Sequence, residues 1–464
     1  MSKRIFSSIF VFLAVIVSLP FICGCNMPRE QLIAFNQYFE ASDFNSAAVY
    51  AEKNIKKRKN PAGEDLLWTL QAAAARRILQ DYNSSTQHFD KAEEFLKFYD
   101  LRFSGADDVA AMAVNENIVP YKGEEYDGVM ANVYKALNLL SEGNSDLARV
   151  EFNRAIDRQR RTREKFEKEI KKAKEEIDKM PAGNLINQTM SDPNMVEKTL
   201  HEKYPELYEY QAYKDYTNPF VTYLAAIYFN SAGDTSTARD LLKETFGLVP
   251  ENKYVEEEFK EAERLLDKNE KFHNTVWVIF ENGLGPVKEE FRIDLPLFVA
   301  TSQVLYAGIA LPKLVYRDSA FSSLQIEADG NSYDTAVVSN MDRVIHSEFK
   351  KDFDAILMRA IISMTAKVAA QYVLSSQGST AATIGSIMIA AYSFATTAAD
   401  VRIWTSLPKD FQIARLPKPQ SNTLKITPFN AQPFDIQLPE GNNALVYIKI
   451  INRNSKPVYE IIPL

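Results

Sequence analysis

Apolar residues in the first half of the chain recur at helical spacing and are broken at intervals by short polar turns. Leu32, Ile33, Phe35 and Phe39 mark one face, Ser42-Asp43 interrupts it, and Ala47, Ala48, Tyr50, Ala51 and Ile55 mark a second. The same figure returns over 64–98 with a break at Asp81-Tyr82-Asn83, over 124–157 with a break at Gly143-Asn144, and over 219–250 with a break at Gly233-Asp234. Between Lys268 and Thr275 the period changes to two: Val276, Val278 and Phe280 alternate with Trp277 and Ile279. The stretch Glu281-Asn282-Gly283-Leu284-Gly285-Pro286 reads as a turn. Residues 324–328 and 333–338, joined by Asp329-Gly330-Asn331, read as a hairpin. Further strands are predicted at 411–416, 423–429, 434–438, 444–451 and 457–462. Strands this short and this closely spaced suggest a β-sandwich.

Small residues sit at fixed offsets within the helix pairs: Ala73, Ser85 and Ala92; Ala136, Ala148 and Ala155; then Ala226, Ala238 and Pro250. Two helices of a pair approach closely only where side chains are small, and a proline ends the second helix. In this the pairs resemble tetratricopeptide repeats. The first pair is degenerate, with Phe35 where a small residue is usual. Ala47, Ser85, Ala148 and Ala238 are 38, 63 and 90 residues apart, so the array is interrupted. A long charged helix is predicted near 146–179, with one narrow apolar seam through Phe152, Ile156, Phe166, Ile170, Ala173 and Ile177. Arg158, Arg160, Arg161 and Arg163 make a basic patch on it. That patch reads either as a docking surface for anionic headgroups or wall polymer or, more simply, as a solvated face balanced by neighbouring glutamates. The repeat resemblance implies a groove whose lining includes Tyr223 and Asn230, with Met130, Val133, Leu137 and Leu140. Tyr223, Asn230, Arg158 and Arg161 are therefore the candidate partner-binding residues. Lining this apolar suits a protein occupant, and a segment of the same chain is preferred to a free peptide.

A helical pair is predicted inside the β-rich half, from Asp342 to Leu374 and from Thr380 to Trp404. Residues 368–399 carry no charge, which raises the possibility of a membrane hairpin. Yet 379–399 holds seven Ser/Thr, seven Ala and one Gly, too weakly apolar for a span, so a hairpin buried on the sheet is expected. The fold class is therefore α+β. Residues 1–24 form a targeting segment, 25–270 a tetratricopeptide-like array, and 271–464 a sandwich-like domain with a helical hairpin inserted near 342–404.

The targeting segment begins with Lys3 and Arg4, continues uncharged from Ile5 to Ile22, and ends in small residues before Cys25. Ile22, Gly24 and Cys25 resemble the cleavage site of a bacterial lipoprotein signal peptide. The resemblance implies acyl chains on Cys25, and two or more such chains anchor stably. Asn26, where aspartate favours inner-membrane retention, implies the outer membrane, with the protein facing the periplasm. Removing 1–24 leaves 52 basic and 61 acidic residues, a net charge of −9, a poor match to nucleic acid. Of the two cysteines, Cys23 leaves with the signal and Cys25 is the lipid site, so no disulfide or catalytic thiol is expected.

Four stretches are similar to a family of largely uncharacterised proteobacterial lipoproteins with tetratricopeptide repeats. They are Pro120-Tyr121-Lys122-Gly123-Glu124, Asn218-Pro219-Phe220, Phe280-Glu281-Asn282-Gly283 through Asp294-Leu295-Pro296, and Asp400-Val401-Arg402 through Leu416-Pro417. The resemblance implies an outer-membrane lipoprotein, often encoded beside a lipoprotein activator of penicillin-binding proteins, with no enzymatic activity attached. The four histidines, His88, His201, His273 and His346, have no metal-ligand spacing, and no nucleophile elbow or phosphate loop occurs. Neither cofactor nor metal is expected. The leading expectation is a lipid-anchored, non-enzymatic scaffold that binds another envelope protein, possible roles being cell-wall synthesis or envelope assembly. The alternative is an envelope polysaccharide-binding protein or carboxylate-dependent hydrolase, for which Glu281 and Asn282 are the best polar candidates; a turn-stabilising role is preferred for both.

Overall fold

The computed structural model describes residues 27–56, 60–102, 120–178, 198–209, 211, 213, 217–268, 272–293, 309–353, 356–357, 360, 364, 398–441 and 443–464. Helices occupy the first part: α1 (Met27–Glu40), α2 (Phe44–Asn54), α3 (Asp65–Ile78), α4 (Tyr82–Arg102), α5 (Glu125–Ser141) and α6 (Ser145–Asp178). The short α7 (Lys198–Lys203) and α8 (Glu206–Glu209) lead to α9 (Pro219–Ser231), α10 (Thr235–Leu248) and α11 (Lys253–Lys268). The pairs α1–α2, α3–α4, α5–α6 and α9–α10 share one turn. Each first helix ends in a residue with positive φ: Ser42 (62°), Gln80 (58°), Gly143 (77°) and Gly233 (85°). The next amide then reaches back into the helix: Asp43 to Tyr38, Asp81 to Arg76, Asn144 to Leu139 and Asp234 to Phe229, at 2.7–3.0 Å. This closes the orphaned carbonyls. Three of those residues at once cap the following helix, Asp43 accepting from Ser46 N, Asp81 from Ser84 N and Asp234 from Thr237 N.

The small residues do what their size suggests. Ala73, Ser85, Ala92, Ala136, Ala148, Ala155, Ala226 and Ala238 are all completely buried. Ser85 Oγ even donates to the Ala73 carbonyl across its pair, at 2.8 Å.

The strands form three sheets. The largest has the order β11 (Val458–Pro463), β10 (Ala444–Ile450), β1 (Thr275–Asn282), β7 (Asp410–Pro417), β6 (Ala336–Asn340). Its β1–β10 pair is parallel and its other pairs antiparallel. A four-stranded sheet follows the order β5 (Asn331–Asp334), β4 (Leu324–Ala328), β8 (Thr423–Pro428), β9 (Phe434–Gln437). The pair β2 (Val287–Ile293) and β3 (Ile309–Val315) stands apart. A further helix, α12, begins at Met341 and is described through 353.

Every residue of β1 is buried. Alternation along a strand, carried across by register, puts Trp277, Ile279 and Glu281 on one face with Phe411 and Arg415 of β7, Tyr447 and Lys449 of β10 and Glu460 of β11. That face meets the helices: Trp277 Nε1 donates to Glu258 of α11, and Phe220 of α9 stacks on Phe411 with ring centroids 3.7 Å apart. On the opposite face Gln412 of β7 accepts from Thr335 Oγ1 at 2.6 Å and donates to Ser322 O at 3.0 Å, next to β5 and β4 of the four-stranded sheet. The protein is thus α+β, with a helical region followed by a sheet region.

Several boundaries differ from the sequence reading. Glu281 and Asn282 belong to β1, and the turn starts at Gly283 (φ 62°). The stretch 333–338 does not all return beside β4: Thr335 donates its amide to Leu324 O, and the chain then crosses as β6 to the other sheet. β2, β3 and α11 escape a reading based on alternation and repeats. Residues 398–404, expected as the end of a helix, are not helical. Arg402 there pairs with Asp400 at 2.7 Å and Glu64 at 3.4 Å, contacts that tie the chain to the start of α3. Residues 365–397 lie outside the described residues, and with them the choice between a buried hairpin and an inserted one. The segment 1–26, including Cys25, lies outside them too.

The shared turn yields a test. A Cβ at Gly143 or Gly233 meets no atom within 4 Å, so only the left-handed backbone resists it. Gly143→Ala and Gly233→Ala should each lower the urea-unfolding free energy by about 1 kcal/mol, while Ser42→Gly should raise it by a few tenths.

Candidate functional site

The polar groups of the sheet's inner face meet those of the helices in one buried network. Glu281 is 2% exposed, at the end of β1, and accepts from three donors. Tyr134 OH of α5 reaches it at 3.0 Å, Tyr447 OH of β10 at 2.5 Å, and Lys449 of β10 forms an ion pair with it. Arg77, near the end of α3, pairs with Glu460 of β11 and donates to Asn138 Oδ1 at 2.7 Å. Tyr82 OH and Ser141 Oγ also donate to Glu460, at 2.5 and 2.8 Å. The Arg77 guanidinium lies 5.2 Å from the Tyr447 ring centroid and 5.9 Å from those of Tyr82 and Tyr134, within cation–π range.

The electrostatics follow from burial. Burial works against the Arg77 charge, but Glu460, Tyr447, Tyr82 and Glu281 together outweigh it, so its pKa is raised. Burial pulls Lys449 below the ordinary lysine value although Glu281 opposes it. The hydroxyls of Tyr134 and Tyr447 are held well above the ordinary tyrosine value, first by burial and then by Glu281, so both remain donors. Beside this network lies a cavity of about 410 Å³ including its open mouth, lined among others by Arg77, Tyr82, Glu281, Lys449, Tyr459 and Glu460. Two carboxylates thus share a cleft, as the hydrolase alternative requires. Each is already taken up by a cation and by hydroxyl donors.

Asn282 is structural, but as a clamp at the end of β1 and not as the turn residue expected. Its Nδ2 donates to Phe321 O at 2.8 Å and its Oδ1 accepts from Phe321 N at 3.2 Å, clamping the chain that returns toward β4. It also donates to Asp410, which receives Gln412 Nε2 at 3.1 Å. Burial pushes Asp410 up to about 6, the Gln412 and Asn282 donors pulling the other way. Glu281 has no turn-stabilising role; it serves the helix–sheet seam.

The structure separates the four candidate partner-binding residues. Tyr223 is fully buried, and Asn230 is taken by the chain itself, its Oδ1 accepting from Phe272 N at 2.9 Å just before β1. Arg158 lies across Gly128, donating to Asn132 Oδ1 at 3.0 Å and pairing with Glu93 at 2.6 Å. Arg161 is exposed, its Nε on the Asp157 carbonyl. Sequence reasoning missed Arg77, Lys449, Glu460, Tyr134 and Tyr447. A signal existed: Lys449 interrupts the apolar run Ala444–Ile450, and Arg77 follows Ala72–Ala75. A charge inside such a run is buried only if paired.

Among the described residues no group of three or more His, Cys, Asp or Glu is placed to hold a metal ion, and no helix is long and apolar enough to cross a membrane. No protein-family model matches the chain, and neither a curated protein nor a solved structure is significantly similar to it.

Two outcomes follow from these contacts. Glu460→Ala strands a buried guanidinium and should cost about 3–5 kcal/mol in chemical denaturation, whereas Arg77→Met combined with Glu460→Leu should cost clearly less than the single change. Asp410 holds its proton more tightly folded than unfolded. Its contribution is therefore complete below about pH 4, the ordinary aspartate range, and lost as pH rises through about 6. Unfolding free energy measured from pH 4 to 7 should fall by about 2 kcal/mol less in Asp410→Asn than in the wild type.

Proposed function

We propose that this chain is a lipid-anchored scaffold that faces the periplasm and binds another envelope protein. On this reading Cys25 carries the acyl chains, the helix pairs are tetratricopeptide-like, and the two larger sheets stack as a sandwich. The observation that carries it is the common turn of the four helix pairs, with fully buried small residues in the last three. The sandwich reading is supported by Thr335 Oγ1, beside β4, which donates to Gln412 Oε1 of β7 at 2.6 Å.

Because the sheet occupies the faces of α5 and α9 that carry Tyr134 and Phe220, a partner has to use the outer surfaces. Arg161 on α6 is one exposed group there. The rigid, self-filled seam suits a presenting platform better than a peptide-gripping groove. A cell-wall synthesis partner is the sharper form of the proposal and rests on the lipoprotein resemblance alone.

The alternative, an envelope polysaccharide-binding protein or carboxylate-dependent hydrolase, is favoured by one observation, the cavity shared by Glu281 and Glu460. It is weakened by their saturation, since a carboxylate accepting two or three donors is poorly placed to move a substrate proton.

Labelled palmitate fed to cells should appear on the wild-type protein and not on Cys25→Ala. Cross-linking in intact envelopes should recover the same envelope protein repeatedly with the wild type, and with the Cys25→Ala variant at most a tenth as much. A mature chain without label, or cross-linking that yields no reproducible partner, overturns the proposal.

A further inference from the structure

A second polar contact joins the two halves at the opposite end of α5. Glu348 of α12, only 9% exposed, points at the first turn of α5, where Oε1 accepts from Glu125 N at 2.6 Å and Oε2 from Tyr126 N at 3.3 Å. A side chain from the C-terminal half thus caps a helix of the N-terminal half. A small cleft opens beside it, about 400 Å³ with its open mouth included, lined among others by Glu125, Tyr126, Gln159, Asn218, Glu348 and Lys351.

The charges around the contact are lopsided. From α5 and its cap, Glu124 and Glu125 face Glu348, and from its own helix Asp352 does so. Lys351 lines the same cavity, and from β2 Lys288 pairs with Glu124 at 3.1 Å. Asp400 also lies near Lys288 and is itself paired with Arg402. Asp127 of α5 turns away, receiving Tyr121 OH at 2.5 Å and Glu124 N at 2.9 Å. From α6 and the start of α9 the neutral Gln159 and Asn218 complete the wall, joined at 2.8 Å.

We propose that Glu348 is a proton-operated latch between the two halves: neutral, it closes the first turn of α5; ionised, it is repelled by Glu124, Glu125 and Asp352, and the seam beside the cavity loosens. Two effects compete. The amides of α5 and its helix N-terminus favour the carboxylate. Burial and three neighbouring carboxylates disfavour it, and they win, holding the carboxyl well above the ordinary glutamate range. The latch does not depend on what the scaffold binds.

The sign is the reverse of an ordinary carboxylate anchor: the contact is firm in mild acid and weakens toward alkali. Hydrogen exchange by mass spectrometry on the full chain reads it directly. After correction for intrinsic exchange, protection of the amides of residues 125–126 should drop at least tenfold from about pH 6 to about pH 9 in the wild type. In Glu348→Gln, whose amide oxygen still accepts but cannot ionise, it should stay flat. An equal drop in both proteins, or no drop in the wild type, overturns the proposal. A second measurement needs no variant: in a carboxyl-carbon NMR titration of the wild type, two glutamates, Glu348 and the buried Glu258, should ionise above the ordinary glutamate range. A titration in which every glutamate but Glu258 ionises near the ordinary value overturns the latch even if Glu348→Gln fails to fold.

Discussion

The architecture depends on one constraint, that a sheet face carrying charges must be dried against a set of helices. Trp277, Phe411 and Tyr447 supply the apolar part of that face, and Phe220 and Tyr134 answer from the helices. Interleaved among them are Glu281, Lys449, Glu460 and Arg415, which cannot be buried alone. Arg77 meets Glu460, Lys449 meets Glu281, and Glu258 of α11 meets Arg415 at 3.4 Å. Such pairs add little net stability against an apolar replacement, because the desolvation of both ions offsets their attraction. What they add is register, since a sheet shifted by one strand or one turn leaves several unpaired ions in a dry interface.

The hydroxyls make that arrangement work. Tyr134 and Tyr447 both donate to Glu281, and Tyr82 and Ser141 both donate to Glu460, so each carboxylate accepts from two hydroxyls as well as from its cation. Burial that lifts the tyrosine pKa values keeps those protons in place. The helical and sheet regions therefore behave as one cooperative body at this seam. A polar network satisfied on both sides also leaves few groups for outside chemistry, so the functional proposal rests on shape and anchoring and not on reactivity.

Much of this was legible in the residues. The helix pairs announced themselves through Ala136, Ala148, Ala226 and Ala238, and their breaks through Gly143 and Gly233, because close packing and left-handed backbone each demand a restricted residue type. The strands from β7 to β11 were visible for the same reason, as alternation between prolines and glycines. What stayed hidden was long-range pairing. Nothing local says that Arg77 will meet a glutamate 383 residues later, or that β10 will lie parallel to β1. β2 was hidden because both its faces are half-polar, with no clean alternation to read. The apparent turn at Glu281-Asn282 was misplaced because polar side chains, ordinarily a loop signal, here continue a strand into a polar seam.

The parallel pairing has a consequence for biogenesis. β1 finds its two neighbours only in β7 and β10, so the strand at the centre of the largest sheet emerges more than a hundred residues before anything can hydrogen-bond to it. The helix pairs contact mainly their own neighbours and can assemble as they appear. An eight-residue strand carrying the apolar run Val276–Phe280, left waiting with both edges open, is an aggregation hazard. In a molecule built this way the helices, which can fold first, are the natural bed on which that strand is finally laid.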